Sequence, residues 1–172
     1  EDFLNLIFKA MMKDSLNSSH PVSSAVHSSE QIEEIFSSFF FSLKGASLLL
    51  MLKHYLTKDV FQAGIEVYLH NHNYRTAQSD DLWDSMNEIT NGTLDVKKMM
   101  KTWLVHKGFP LVTVVRKGKT ISVQQEKFLY RVEPENWTSD ASYLWHIPLT
   151  YITNRCNFTH CTNAYLLDQK SG

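Results

Sequence analysis

Up to about Val105 the apolar side chains recur at helical spacing, and beyond Pro110 the spacing shortens to two. Residues 2–16 read as a helix carrying Phe3, Ile7 and Met11 on one side. The Ser-rich stretch 17–29, with Pro21, reads as an extended loop. Ser28 with Gln31 forms the pattern of a capping box for a short helix through Phe36. A further helix is expected over 44–56, and Thr57 is placed to cap the next. Phe61, Ile65, Tyr68 and Leu69 then follow at i, i+4, i+7 and i+8. Ser79 is the expected cap of another helix. Asp80 and Asp81 occupy its first turn, where negative charge suits the dipole, and Leu82, Trp83, Met86 and Ile89 line its inner side. Asn91-Gly92 makes a turn. The last helix carries Val96, Met99, Met100 and Trp103 on one face and ends near His106. Gly108 can take the left-handed conformation that ends a helix, and Pro110 prevents its resumption.

The pattern after Pro110 is that of strands. Val112 and Val114 are expected to face Ile121 and Val123 across a Lys117-Gly118 turn. Residues 129–140 are polar and loop-like. Tyr143, Trp145, Ile147, Leu149 and Tyr151 alternate along a third strand, which Pro148 assigns to an edge or a bulge. A fourth strand is expected over 164–168. The fold class is therefore α+β, with a helical part over residues 1–108 and a β part over 109–172. The strands make a partial sandwich whose second sheet is not clearly complete at Gly172.

Composition narrows the function classes. An apolar fraction of 43% supports a real core, so disorder is not expected. With 17 basic and 18 acidic residues the net charge is −1, a balance that argues against a nucleic-acid partner, which would need a basic face. No stretch approaches the roughly 20 apolar residues that span a bilayer. No cationic segment leads into an apolar run in the manner of a signal peptide. The sequons at Asn17, Asn91, Asn136 and Asn157 together favour a lumenal or extracellular setting, and each alone is equally an unmodified surface Asn. Cys156 and Cys161 could bridge across a hairpin or remain two free thiols. They cannot form a zinc site alone, because no second pair completes four ligands.

Several stretches carry a resemblance. TLDVKKMMKTWLVHKGFPLVTVV (93–115), LNSSHPVSSAVHSSEQIEEIF (16–36), KGASLLLMLKHYL (44–56), HNHNY (70–74), QSDDLWDS (78–85) and SYLWHIPLTYIT (142–153) resemble the M1 zinc aminopeptidases, within them the oxytocinase branch. The resemblance covers nearly the whole chain. It implies the C-terminal helices of a thermolysin-like catalytic domain followed by the opening of a β-sandwich. It implies a longer parent, of which this is an internal piece beginning mid-helix. The parent would use zinc to remove N-terminal residues from peptides, pack this piece against its remaining domains, and form a homodimer in some settings. It would lie on the extracellular or lumenal side of a membrane as a type II membrane protein.

The chemistry of that family needs a His-Glu-x-x-His helix, whose histidines bind zinc and whose glutamate activates water. None of the 8 histidines here is followed by Glu. The family's third ligand, a Glu in an Asn-Glu-Gly-Phe-like segment, and its Gly-x-Met-Glu-Asn segment are also missing from these residues. The piece is therefore expected to bind no zinc and to be inactive alone. One family element should fall inside it: a tyrosine two residues before the Lys44-Gly45 pair, which stabilises the oxyanion. The segment FSSFFFSLKG is one residue longer than the family's, and the tyrosine position falls at Phe41 or Ser42. Neither side chain replaces a phenol, and loss of one oxyanion donor costs about 10²–10³ in rate. The alternative is a truncated, non-catalytic paralogue that binds peptides or a partner.

Other candidate chemistry has a plainer reading. His70 and His72, at i, i+2, do not share a helical face, and suit the C-terminal end of a helix better than a metal. Asp80, Asp81 and Asp84 could form a carboxylate site, but the first two are explained by the helix start. Met99 and Met100 suit core packing better than a peptide groove. Lys97, Lys98 and Lys101 read as a solvated face. Phe39–Phe41 fit a substrate pocket and a core equally. No Gly-rich phosphate loop and no nucleophile elbow occurs.

Overall fold

The computed structural model describes residues 2–16, 18–23, 28–30, 32–33, 39–130, 143–153 and 163–172. Within helices, the side chains of residues 2, 3, 6 and 39–41 lie outside that description. The elements run α1 (Asp2–Asp14), α2 (Phe39–Leu56), α3 (Lys58–Asn71), α4 (Ser79–Ile89), α5 (Val96–Val105), β1 (Pro110–Lys117), β2 (Thr120–Lys127), β3 (Ile147–Tyr151) and β4 (Asn163–Leu167). Helices precede strands, so the architecture is mixed α+β.

The helical part is built from helices that pack on their neighbours in sequence. α1 packs on α2, α2 on α3, α3 on α4, and α4 on α5. The inner face of α1 is Ile7, Ala10 and Asp14; Met11, expected inside, is exposed. α2 starts at Phe39, earlier than the expected Lys44. Its buried stripe is Lys44, Leu48, Leu52 and Leu56 at successive i+4 steps. The expected cap Thr57 makes no side-chain bond to α3; it sits at φ 77°, ψ 159° as the single residue between two helices. Gln78, not Ser79, caps α4, its backbone N–H donating to the Asp81 carboxylate at 2.6 Å. That reciprocal bond explains why Asp81 stands in the first turn. Asn91 (φ 50°) and Gly92 (φ 69°) turn the chain between α4 and α5, as the Asn-Gly pair predicts. Asp95 caps α5 through its side chain, which accepts from Lys98 N–H at 2.9 Å.

Gly108, at φ 83°, completes the exit from the helical part, and β1 begins two residues later. β1 and β2 pair antiparallel with Lys117 opposite Thr120, so the turn is Gly118-Lys119, one residue later than expected. Gly118 supplies the positive φ of that turn (63°). The later turn shifts the register by two, so Val114 faces Val123, Val112 lies opposite Gln125 and Ile121 opposite Arg116. β3 pairs with β4, Pro148 opposite Leu166, in a second two-stranded sheet. The third strand is shorter than the alternation suggested. Tyr143 to His146 lie outside the ladder, and Trp145 and His146 bond instead to Gln125 and the end of α5. The C-terminal residues take the free edge of β2, with Val123 and Gly172 exchanging both backbone bonds at 2.9 Å and Gln125 N–H donating to Lys170 O.

Both parts share one core. Leu48, Leu52, Leu56, Trp83, Met86, Val96, Met99, Met100 and Trp103 from the helices are continuous with Val123, Trp145, Ile147 and Leu167. Among the described residues no helix is long and apolar enough to cross a membrane.

Candidate functional site

The first turns of α2 hold the two positions singled out by the sequence. α2 is an unbroken α-helix from Phe39 to Leu56. Ser42 is exposed on it; of Phe41 only the helical backbone is described. The register of this turn is fixed from the next residue but one. Lys44 is buried, and its Nζ lies 2.7 Å from the Asp14 carboxylate. The same ammonium donates to the carbonyls of His106 and Gly108, both at 3.3 Å. Asp14 Oδ1 accepts from Gly108 N–H at 3.0 Å and from the Ser19 hydroxyl. One ion pair thus ties α1, α2 and the helix-to-strand junction together. A buried pair is tolerable only when its remaining donors and acceptors are satisfied, as these are.

This anchor was missed in the sequence, although both halves left a mark. Lys44 stands at the head of an i+4 leucine stripe, and Asp14 stands in step with Ile7 and Ala10. A charge in register with an apolar face is the signal of a paired buried ion.

The other candidates are accounted for by packing and capping. His72 caps α3, its backbone N–H and Nδ1 both meeting Tyr68 O at 3.1 Å, and its ring stacks on Tyr68. Its Nε2 lies 3.7 Å from Asp81, joining the end of α3 to the start of α4. His70 is exposed in the last turn of α3. Lys97, on the solvated face, also makes ion pairs. It bridges Asp84, at 2.9 and 3.1 Å, and Asp80, at 3.3 Å, and these carboxylates hold its ammonium pKa above the ordinary range. Lys98 and Lys101 are exposed. Met99 and Met100 are wholly buried, as core packing requires. Among the described residues no three His, Cys, Asp or Glu side chains converge on a point where a metal would sit. Asn17, Asn136, Asn157, Cys156 and Cys161 lie outside the described residues, and Asn91 is exposed in its turn.

A shallow groove of about 300 Å³ lies between α1, α2 and β3, lined by Ile7, Leu50, Met51, His54, Tyr55 and Pro148 among others. Burial pushes the Tyr55 phenol pKa up. A second cluster closes the seam between helices and strands. Trp103 Nε1 donates to His146 O at 2.9 Å, and His146 N–H donates to Thr102 Oγ1 at 3.0 Å. The Gln125 amide accepts from Trp145 N–H at 2.9 Å and donates to Trp145 O at 2.8 Å. His106 packs against Tyr143 and Trp145, with ring centroids 5.1 and 5.3 Å away.

Comparison with known proteins adds what the geometry alone cannot. The peptidase family M1 domain matches residues 1–103. Human endoplasmic reticulum aminopeptidase 1 is 38% identical over 194 aligned positions, which take in 98% of this chain and 20% of that protein. Human endoplasmic reticulum aminopeptidase 2 is 39% identical, over 92% of this chain and 19% of its own length. The leucyl aminopeptidase of Saccharolobus solfataricus is 34% identical, over 91% of this chain and 19% of its own length. The chain spans about a fifth of the length of these curated relatives.

Proposed function

Because this chain belongs to peptidase family M1, we propose that it is a segment of a zinc-dependent aminopeptidase that trims peptides from the amino terminus. The observation that carries this is the match over residues 1–103, which takes in all of α1 and α2 to α4 and nearly all of α5. We assign those helices to the C-terminal side of a thermolysin-like catalytic domain. We assign residues 109–172 to the opening of a β-sandwich. The end of the family match near Trp103 and the left-handed Gly108 support a boundary there. The residues described here do not fit a zinc ion, so no catalytic step is assigned to them. The segment alone is expected to be inactive. Turnover of an aminoacyl substrate by the purified, zinc-supplemented chain, well above background, would refute this.

Helical register bears on the missing tyrosine. A residue inserted within a continuous α-helix rotates everything before it by about 100°. α2 is continuous through this turn, and Lys44 is pinned by Asp14. Counting back from Lys44 supports assigning the oxyanion-stabilising position to Ser42 rather than Phe41. In the parent enzyme Ser42→Tyr should raise kcat by about 10²-fold, and Phe41→Tyr should not. The second reading, a non-catalytic peptide- or partner-binding paralogue, is favoured by the loss of that phenol. A parent in which Ser42→Tyr leaves turnover at background would support it.

We further assign the chain to the oxytocinase branch, on the lumenal or extracellular side of a membrane, in a parent anchored as a type II membrane protein. The support is the sequence resemblance and the sequon Asn91-Gly92-Thr93 in an exposed turn. Expression through a secretory pathway tests the location. A mass shift removed by peptide N-glycosidase, and lost in Asn91→Gln, is the expected result.

A further inference from the structure

We propose that the seam between α5 and the segment leading into β3 is a pH-sensitive clasp, held closed by His106 and His146 in their uncharged forms. His106 is the residue that ends α5, and His146 immediately precedes β3. They enter the seam from its two sides. Their main chains are bound into it: Lys44 Nζ donates to His106 O, Trp103 Nε1 to His146 O, and His146 N–H to Thr102 Oγ1. Movement of either imidazole therefore pulls on the bonds that hold helices to strands.

The surroundings of both rings disfavour a positive charge. His106 lies against the rings of Tyr143 and Trp145. The charged groups facing it among the described residues are Lys44 from α2, Lys127 from β2 and Lys170 from the C-terminal segment; Asp14, close by, is committed to Lys44. Lys127 itself lies 4.1 Å from the centroid of Tyr143, so the electron-rich face of that ring already serves a cation. The Leu144 carbonyl, which bonds the imidazole, works in the opposite sense. His146 is buried, at 8% exposure. It is faced by Lys98 and Asp95 from α5 and by Asp168 beyond β4. Burial comes first among the causes that hold both pKa values below the ordinary histidine value; the nearby lysines add to it, and at His146 the carboxylates of Asp168 and Asp95 oppose it.

The sign follows from linkage. A histidine whose folded pKa is depressed binds fewer protons folded than unfolded below the ordinary value of about 6.5. The stability it contributes is complete above that value and is lost as pH falls through the folded pKa. Two such groups in one seam steepen the loss. The fold is thus expected to loosen at the helix–strand joint on mild acidification, whatever the parent's activity.

The test is urea unfolding of the 172-residue chain between about pH 8 and pH 5, followed by tryptophan fluorescence, since Trp103 and Trp145 lie in the seam. The wild-type midpoint should fall below about pH 6.5. The double variant His106→Phe, His146→Gln should lose most of that fall. A second measurement needs no variant. Proton NMR titration of the wild-type chain should find the two seam imidazoles titrating below the ordinary histidine value of about 6.5. A midpoint insensitive to pH, a double variant with the full pH dependence, or seam histidines titrating at or above about 6.5 would each overturn the clasp. So would a chain with no cooperative transition at pH 8, because the seam would then close nothing.

Discussion

Lys44 Nζ lies 2.7 Å from the carboxylate of Asp14, with both side chains less than a tenth exposed. They come from α1 and α2, and both also bond the backbone around Gly108. Removing one partner strands a buried charge and orphans its hydrogen-bond partners. Lys44→Met or Asp14→Leu should each cost about 3–5 kcal/mol. The double variant should recover a large part of that loss, since two apolar side chains leave no charge unpaired. A double-mutant cycle by chemical denaturation measures the coupling. Single variants within a few tenths of a kcal/mol of wild type would mean that the pair is solvated.

Gly64 is the close-contact point between α3 and α4. A Cβ there would stand 2.3 Å from Met86 Sδ, inside any real contact distance, and Met86 is wholly buried. Alanine is the better helix former by about 1 kcal/mol. Overpacking costs about 1–3 kcal/mol, so Gly64→Ala should be net destabilising. Adding Met86→Ala frees the space, and the second change should then cost less in the Gly64→Ala background than in wild type. A Gly64→Ala chain more stable than wild type would refute the packing.

The helices and the change of period at Gly108 were legible because they depend on neighbours in sequence. Val96, Met99, Met100 and Trp103 announce a face, and Gly108 with Pro110 announces its end. What stayed hidden depends on partners far along the chain. Tyr143 to His146 alternate like a strand, yet Gln125 and Trp103 claim the backbone groups of Trp145 and His146, and the ladder begins only at Ile147. The pairing of Gly172 with Val123 had no local signal, since Lys170-Ser171-Gly172 is polar and short. At the candidate site the alternatives Phe41 and Ser42 could not be separated by spacing alone. The proposal of Ser42 rests on the register of the unbroken α2 helix.

Two backbone positions should respond to substitution with opposite sign. Thr57 is β-branched yet sits at φ 77°, ψ 159°, a region that suits only glycine. Its side chain gives no cap bond in return. Thr57→Gly should therefore stabilise by about 1 kcal/mol or more, with the strain relieved outweighing the entropy lost. Gly108 needs its φ of 83°, and a Cβ there would stand 3.3 Å from Lys127 Cε. Gly108→Ala should destabilise by about 1–2 kcal/mol. Thermal melts of the two variants in one buffer decide the matter, and shifts of the same sign would contradict the backbone assignment.

The outer side of α1 bears on whether this stretch stands alone. Leu4, Phe8, Met11 and Met12 fall at i, i+4, i+7 and i+8, and all are exposed while Ile7, Ala10 and Asp14 face inward. An apolar stripe on the solvent side of a helix is stable only when something covers it. The hairpin adds Val114, Val115 and Ile121, also exposed. The purified chain should accordingly self-associate with rising concentration, read by sedimentation or light scattering. Leu4→Glu with Phe8→Lys should reduce that association while leaving the far-ultraviolet circular dichroism unchanged, because neither side chain enters the core. A wild-type chain that stays monomeric across the accessible concentration range would show that the stripe needs no cover, and would remove this support for a missing larger body.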